Sequence, residues 1–548
     1  MRAALLLLLA LFAGRPGAPS NLSVFRLSDG DGELEWISPC SFRLARYWGK
    51  APPSGQAINP EMVKVSQSDR GSSVRFSTGC LTVEVEKATL RLEVSGQAGR
   101  VMTDAAAPQK TAQGLVVERA AVPGEAYFGL GPRAAPSADL RGLEITAARP
   151  LLISSLGYGE FFPMGGSCLY DLARARPDRR RVTLKGTDHV EYFFYYGPTP
   201  REILGEHASI AGTFSGYDSK AFRILESSEV PRAATRIAVR GPGSWTSLEE
   251  SVRSLVHASW SALLVPALDL SPYEAGPDLL FARAAQLGAA VPVVYASLPR
   301  GGQGALQETY RRTAEMRKRL TPYLATCAYE ARQFGFPMIR PIAMQSPGDR
   351  QAAARETTEF MLGEALLIAP IFTPEAHRTV YLPAGAWTNL RTSQIYKGRQ
   401  TIRIQAVQDE LPMFAKHVSI LPLAPPEDRD LLTLNYFAGG AAECLLMEED
   451  REAVSQFHAA PAGGIMRLEI QSAKRRTCEW IVRHAGPCRE VVSGGAAYVQ
   501  VKSSDELRPG SWFFDQAKNE IHIQCLVSAG EERIIHVTPG SRPLAEKL

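Results

Sequence analysis

Between Asn21 and about Gly212 the chain alternates apolar and polar residues in short runs: Ser73–Phe76, Leu81–Val85, Thr89–Val94, Leu115–Arg119, Leu151–Ser154 and Tyr192–Tyr196. A period of two interrupted by turn residues predicts an antiparallel β-sandwich. The rhythm then changes. Over Arg317–Phe334, apolar side chains recur at Leu320, Tyr323, Leu324, Cys327 and Ala328, the spacing of one helix face, and Gly335 supplies a C-terminal stop. Pro337–Ile342 and Ala365–Phe372 are nearly unbroken apolar runs, expected as strands of a parallel sheet covered on both faces. Arg236–Gly241, Ala262–Leu268 and Ala290–Ala296 read as further strands. Ser247–Ser259 and Asp278–Leu287 read as the helices between them, each with an acidic residue near its start. Later runs such as Ile465–Ile470, Ile521–Leu526 and Glu532–Val537 return to β pattern and predict a distal sandwich.

Composition adds limits. A length of 548 residues suits three or four domains at about 150 residues each. With 45% hydrophobic residues, 22% charged and a formal net charge of +4, nothing favours nucleic acid. The one basic cluster, Arg174–Arg181 with Asp178 inside it, reads as a solvated loop. Arg2 followed by the apolar run Ala3–Ala13 and a Gly, Pro and Ala-rich stretch reads as a secretory signal peptide, with an uncleaved anchor as the alternative. No later apolar run is long enough to span a bilayer, so no membrane span is expected in the mature, exported chain. Asn21-Leu22-Ser23 is a glycosylation sequon if the host is eukaryotic. The eight cysteines are widely spaced, with no metal-ligand or redox motif, so neither metal nor cofactor is expected. Cys478 and Cys488 flank a turn and can bridge neighbouring strands; Cys327 reads as a free core thiol.

Several segments carry a resemblance. RKRLTPYLATCAYEA, GFPMIRP and FMLGEALLIAP, all within Arg317–Phe372, are similar to the helix and strands that end the catalytic barrel of glycoside hydrolase family 31. Upstream, EAYFGLGPR (Glu125–Arg133), PLLISSLGYGEFF (Pro150–Phe162) and EYFFYYGPTPREILGEHASIAG (Glu191–Gly212) resemble that family in the same order. Downstream, Arg378–Gly398 and Asp409–Leu423 resemble its proximal C-terminal sheet. The resemblance implies a (β/α)8 barrel and a retaining hydrolysis of α-linked glycosides. Such a barrel takes about 250 residues and eight strands. Thr213–His377 is too short for that, and only five strands can be placed in it.

The chemistry that the resemblance implies is incomplete. A retaining glycosidase sets two carboxylates about 5–5.5 Å apart. The family's nucleophile lies in a W.DMNE strand end, which is absent here. Its acid/base Asp follows a Gly after a strand; here Gly241 is followed by Pro242, which transfers no proton. ALDLSPY stands where the family has G.DIGGF, so Asp269 keeps a carboxylate while both loop glycines are gone. In LLFARAAQLGAAVPVVYAS, Arg283 and Gln286 persist, but Ala284, Tyr295 and Ser297 replace a Trp, an Arg and a sugar-binding His. The glycine cluster Arg300–Gly304 lacks a phosphate-loop signature, and the histidines lack GxSxG or HExxH company.

The sequence therefore reads as a multidomain α/β plus all-β protein: signal peptide 1–18, N-terminal β-sandwich 19–212, remnant of about the second half of a barrel 213–377, proximal β-sheet 378–424 and distal β-sandwich 425–548. Its expected function is that of a family 31-like protein with impaired catalysis. The alternatives are a carbohydrate-binding or protein-interaction scaffold, an active enzyme with unrecognised groups, or an incomplete gene model of an active α-glucosidase. No catalytic residue is assigned. For α-linked carbohydrate the candidate contacts are Asp269, Arg283, Gln286, Tyr295 and Trp245, since barrels bind at the C-terminal ends of their strands. An incomplete barrel would also leave an open strand edge for the sandwich domains or a partner chain to cover.

Overall fold

The computed structural model describes residues 21–51, 62–135, 137–147, 149–163, 166–212, 224–226, 235–237, 242–297, 304–349, 351–352, 358–406, 410–425, 431–448 and 453–540. The apolar N-terminal run, the end of Arg236–Gly241 and most of the glycine cluster lie outside them. The fold is mostly β with few helices. Two compact units divide the chain: Met1–Tyr127 with Arg141–Pro198, and Phe128–Leu140 with Thr199–Leu548.

The first unit is built from antiparallel sheets, as the alternation predicts. One contains, in spatial order, Leu22–Leu27, Gly30–Ser38, Ser41–Tyr47, His189–Tyr196, Tyr158–Phe161 and Leu151–Ser154. The other runs from Glu144–Thr146 through Ser167–Leu172, Arg179–Lys185, Gly114–Ala120 and Gly99–Thr111 to Ser66–Asp69. A disulfide joins Cys40 to Cys80, whereas Cys478 and Cys488 are free thiols. The proposed Cys478–Cys488 bridge is thus corrected: Cys478 sits in register with Cys525 of the neighbouring strand, away from the turn. The basic cluster is corrected in part: Arg174–Asp178 is an exposed loop, as expected, but Arg179–Arg181 begin a strand and the Arg180 side chain is buried.

Arg180 belongs to a charged network inside this unit. Arg119 Nε donates to Glu160 Oε1 at 2.9 Å and Arg180 Nη2 lies 2.5 Å from Glu160 Oε2, while Arg119 also pairs with Asp104. Glu125 accepts from Ser154 Oγ at 2.6 Å, Tyr158 OH at 2.7 Å and Tyr127 OH at 2.9 Å. All these side chains are buried, so each charge is compensated by direct partners rather than by water.

In the second unit, four short strands form a parallel sheet: β1 (Ile224–Glu226), β2 (Thr235–Ile237), β3 (Pro266–Asp269) and β4 (Val293–Ala296), in the order β1-β4-β3-β2. Helix α1 (Trp245–Ser259) connects β2 to β3, and α2 (Asp278–Ala289) connects β3 to β4. The α1 start is fixed not by an acidic residue but by Ser244, whose side chain accepts from the Ser247 amide at 3.1 Å. Strand β1 has no counterpart among the sequence expectations, being too short to carry a hydrophobic pattern.

The runs Pro337–Ile342 and Ala365–Phe372 do not join this sheet. They contribute β5 (Ile339–Pro341) and β7 (Leu366–Ile368), which pair antiparallel with β6 (Phe360–Leu362), and β7 pairs on with β8 (Met413–Lys416). An apolar run reports burial on both faces; it does not report the direction of its neighbours.

The long helix α3 (Ala305–Phe334) locks these parts together. Buried Arg317 donates to the carbonyls of Gly288, Val291 and Pro292 at 2.5, 2.7 and 3.0 Å, capping the C-terminal end of α2. Tyr323 OH donates to Leu362 O at 2.6 Å and accepts from Ala365 N at 2.9 Å. Between them Gly363 has φ of 59°, and a Cβ there would lie 2.5 Å from the Tyr323 hydroxyl and Cys327 Sγ. Only glycine fits. The Arg317–Phe372 motifs are therefore a set of interlocking structural contacts. The predicted strands at Ile465–Ile470, Ile521–Leu526 and Glu532–Val537 are present in two further sheets, one with Ser419–Leu423, Leu431–Phe437, Arg476–Arg483 and Glu520–Val527, the other with Val454–Ala462, Ile465–Gln471 and Glu532–Pro539.

Candidate functional site

The C-terminal edge of the parallel sheet is where the candidate residues were expected. Strand β3 is buried until Asp269, which is half-buried. Asp269 Oδ1 accepts from the Ser271 amide at 2.9 Å, starting a 3-10 turn, Ser271–Tyr273. Tyr273 closes that turn into the core, its hydroxyl 3.1 Å from Ser251 Oγ of α1. The segment after β2 packs directly on the same turn: Gly243 N donates to Pro272 O at 2.7 Å. A Cβ on Gly243 would lie 2.5 Å from the Tyr273 ring. Pro242 precedes it, exposed, at the position where the resemblance calls for an acid/base carboxylate.

Tyr295 on β4 is in register with Asp269 on β3 and is 4% exposed; its carbonyl accepts from Leu270 N at 2.9 Å. Its ring is covered by the protein, so it offers no open face to a sugar. Beyond it, the Ser297 amide donates to Glu274 Oε1 at 2.9 Å and the Ser297 hydroxyl donates to Glu274 Oε2. Asp269 and Glu274 therefore each have an oxygen engaged by a neighbouring backbone amide. Trp245, the first residue of α1, is half-buried against the core rather than standing free.

Arg283 and Gln286 form a separate group. Both lie buried on α2, with Arg283 Nη1 donating to Gln286 Oε1 at 3.1 Å and to the Glu410 carbonyl at 2.9 Å. They tie α2 to the segment entering β8. The structure thus brings Asp269 and Tyr295 together, packs Trp245 against the core at the start of α1, and buries the Arg283–Gln286 pair against the Glu410 carbonyl.

Sequence reasoning overlooked two acidic positions. Glu274 had no signal beyond its proximity to Asp269. Glu226 ends the unforeseen strand β1, in register with Ala296 of β4, and so reaches the same edge along the backbone. Among the described residues no three His, Cys, Asp or Glu side chains gather as a metal ion would require.

Parts of this sequence and most of this fold are similar to known proteins. Residues 335–421 match the family model for the glycosyl hydrolase family 31 C-terminal domain. The chain is 34% identical over 121 residues to an α-glucosidase of Saccharolobus solfataricus, covering 22% of this chain and 17% of that protein. It is 30% identical over 190 residues to neutral α-glucosidase AB of Mus musculus, covering 32% and 20%. These sequence matches span only about a fifth of each relative. The fold match is far longer: a Flavobacterium johnsoniae GH31 dextranase, solved with isomaltotriose, aligns over 95% of this chain and 98% of its own at a TM-score of 0.80 and 14% identity. A GH31 α-xylosidase from Xanthomonas citri aligns over 94% and 99% at 0.68 and 12% identity.

Proposed function

We propose that this chain, which belongs to glycoside hydrolase family 31, keeps the scaffold of a carbohydrate-active family with its hydrolytic double displacement disabled. The four-stranded parallel sheet with α1 and α2 is, in this reading, what remains of a barrel. One observation carries the proposal. At the strand edge where the two carboxylates of a retaining mechanism belong, Asp269 binds the Ser271 amide, Glu274 binds Ser297, and Pro242 stands at the acid/base position. A carboxylate that caps a turn is held in place by the fold and is not poised across an empty site from a second one. Export of the chain is part of the same reading, supported by the Cys40–Cys80 disulfide, since such bonds persist in oxidising compartments.

The test is turnover. Purified protein should release no aryl leaving group from α-glucosides, α-xylosides or α-galactosides above a blank. A turnover number in the ordinary enzyme range, about 1–10³ s⁻¹, would overturn the proposal. Glu226 favours a second reading, in which an unrecognised carboxylate serves, because its backbone reaches the same edge. Activity abolished by Glu226→Gln would select it. Since the dextranase relative was solved with isomaltotriose, that trisaccharide is the first ligand to titrate for binding without turnover.

A further inference from the structure

A pocket of about 420 Å³ opens between the first half of α3, the segments around β8 and the strands that follow it. Its size is that of a small-molecule site, about 300–1,000 Å³. It contains none of Asp269, Arg283, Gln286, Tyr295 or Trp245. Leu320, Leu411 and Leu421 form its apolar floor, and Arg319, Arg391 and Arg483 stand around it.

The three guanidiniums differ in what already neutralises them. Arg391 Nη1 donates to Glu410 Oε2 at 2.7 Å. Arg483 Nη2 donates to Asn435 Oδ1 at 2.8 Å, and Nη1 pairs with Glu520. Arg319, exposed at the rim on α3, has no ion-pair or side-chain hydrogen-bond partner among the described residues; only its carbonyl is used, by the Ala424 amide at 2.9 Å. Three guanidiniums face two carboxylates, which leaves one positive charge beside an apolar floor. The floor offers hydrocarbon contact and few donors or acceptors, which is wrong for a polyhydroxylated sugar. One spare positive charge matches one carboxylate better than a dianionic phosphate, and a planar guanidinium pairs with a carboxylate through two parallel hydrogen bonds. The rim is rigid as well, because Arg283 holds the backbone of Glu410 from α2.

We propose that this pocket binds a small amphipathic carboxylate, its hydrocarbon body on Leu320, Leu411 and Leu421 and its carboxylate on Arg319. The site is independent of whether the chain hydrolyses glycosides.

Calorimetric titration of the full chain with octanoate, octan-1-ol and octylammonium, all below their aggregation limits, tests it. Octanoate should saturate the protein, with octan-1-ol weaker by about tenfold, the loss expected for one charge-assisted hydrogen-bonded contact, and octylammonium weaker still. Arg319→Leu should remove the preference for octanoate over octan-1-ol and leave octan-1-ol binding in place; Arg319→Gln serves the same purpose with a polar side chain. Met316→Trp, which fills the pocket from α3, should weaken both ligands while circular dichroism stays unchanged. The proposal is overturned if octanoate fails to saturate at millimolar concentration, if octanoate and octan-1-ol bind alike, or if both Arg319 variants keep the preference. Selective saturation by a peptide ending in a hydrophobic residue, with no response to octanoate, would also overturn it.

Discussion

Replacing Glu160 by Gln should be among the most damaging single-atom changes in the N-terminal unit. The Glu160 side chain is fully buried, and its two oxygens meet Arg119 at 2.9 Å and Arg180 at 2.5 Å, each of those side chains only 1% exposed. Burial by itself would raise its pKa, but Arg180 and Arg119 hold the carboxyl below the ordinary range, so it is charged at neutral pH. Gln keeps the shape and removes the charge. Arg119 then keeps only Asp104, and Arg180 loses its one ion pair among the described residues, with buried Glu125 acting on it only without direct contact. Breaking a buried pair by removing one partner costs about 3–5 kcal/mol. For a unit of this size each kcal/mol is worth about 2–4 °C, so its transition should fall by roughly 6–20 °C in calorimetry. An exposed pair gives the contrast. Asp69→Asn removes the 2.7 Å contact to Lys87, where both side chains are substantially exposed, and should cost at most about 1 kcal/mol. If Glu160→Gln shifts the transition no more than Asp69→Asn, the reasoning about buried charge fails.

Acid should destabilise the second unit. Burial, then Arg133, pulls His257 down to about 4; burial, then His417 and Arg483, brings His484 to about 4; and burial lowers His417. Unfolded histidine titrates near 6.5, at about the ordinary value, so between pH 6.5 and 4 the unfolded chain takes up protons that the native chain refuses, and stability falls with pH. His257 alone should account for about 2 kcal/mol at pH 5. His522, held above its ordinary value by Glu479 and Glu520 against the effect of burial, acts oppositely, its contribution being complete below 6.5 and lost as pH rises through its folded value. Three against one, the urea midpoint should be lower at pH 5 than at pH 7, and an unchanged midpoint would refute the balance. Asp269→Ala should cost only about 0.5–1.5 kcal/mol, the worth of its hydrogen bond to Ser271, measured by urea unfolding; a larger loss would show that Asp269 holds more than one turn.

What was legible in the sequence is what packing enforces. The runs Leu151–Ser154 and Tyr192–Tyr196 gave correct strands although every residue in them is buried, because short apolar stretches bounded by turn residues fit a strand covered on both faces. The α3 face read at Leu320, Tyr323, Leu324, Cys327 and Ala328 is buried throughout. Direction was not legible: Ile339–Pro341 and Leu366–Ile368 were read as parallel because burial looks the same in either pairing. Strand β1 was invisible, since three residues hold no period. At the candidate site, the sequence located Asp269 and Tyr295 on one edge. It could not separate Arg283 and Gln286 from them, because Arg283 bonds to Gln286 and to the Glu410 carbonyl, 127 residues downstream and reachable only through the fold.

The motifs that carry the family resemblance divide by what their side chains do. Glu125, Ser154, Tyr158 and Glu160 come from two separate motifs, yet they meet in one buried network in which every carboxylate oxygen has a donor or a cation close by. Arg317 caps α2 by three carbonyls, and Tyr323 and Gly363 interlock. Removing one of the polar side chains leaves a charge or a polar group stranded in the core, and a Cβ at Gly363 would collide with Tyr323 and Cys327, so each contributes to stability. Pro242, Tyr295 and Ser297 stand where the resemblance implies an acid, an arginine and a histidine; Tyr295 is in register with Asp269 and the Ser297 amide donates to Glu274. Side chains that touch only a substrate can change without unfolding the protein. If catalysis is lost as proposed, the motifs of the first kind record a constraint to fold, and function is to be sought on surfaces such as the unpaired guanidinium of Arg319 above its apolar floor.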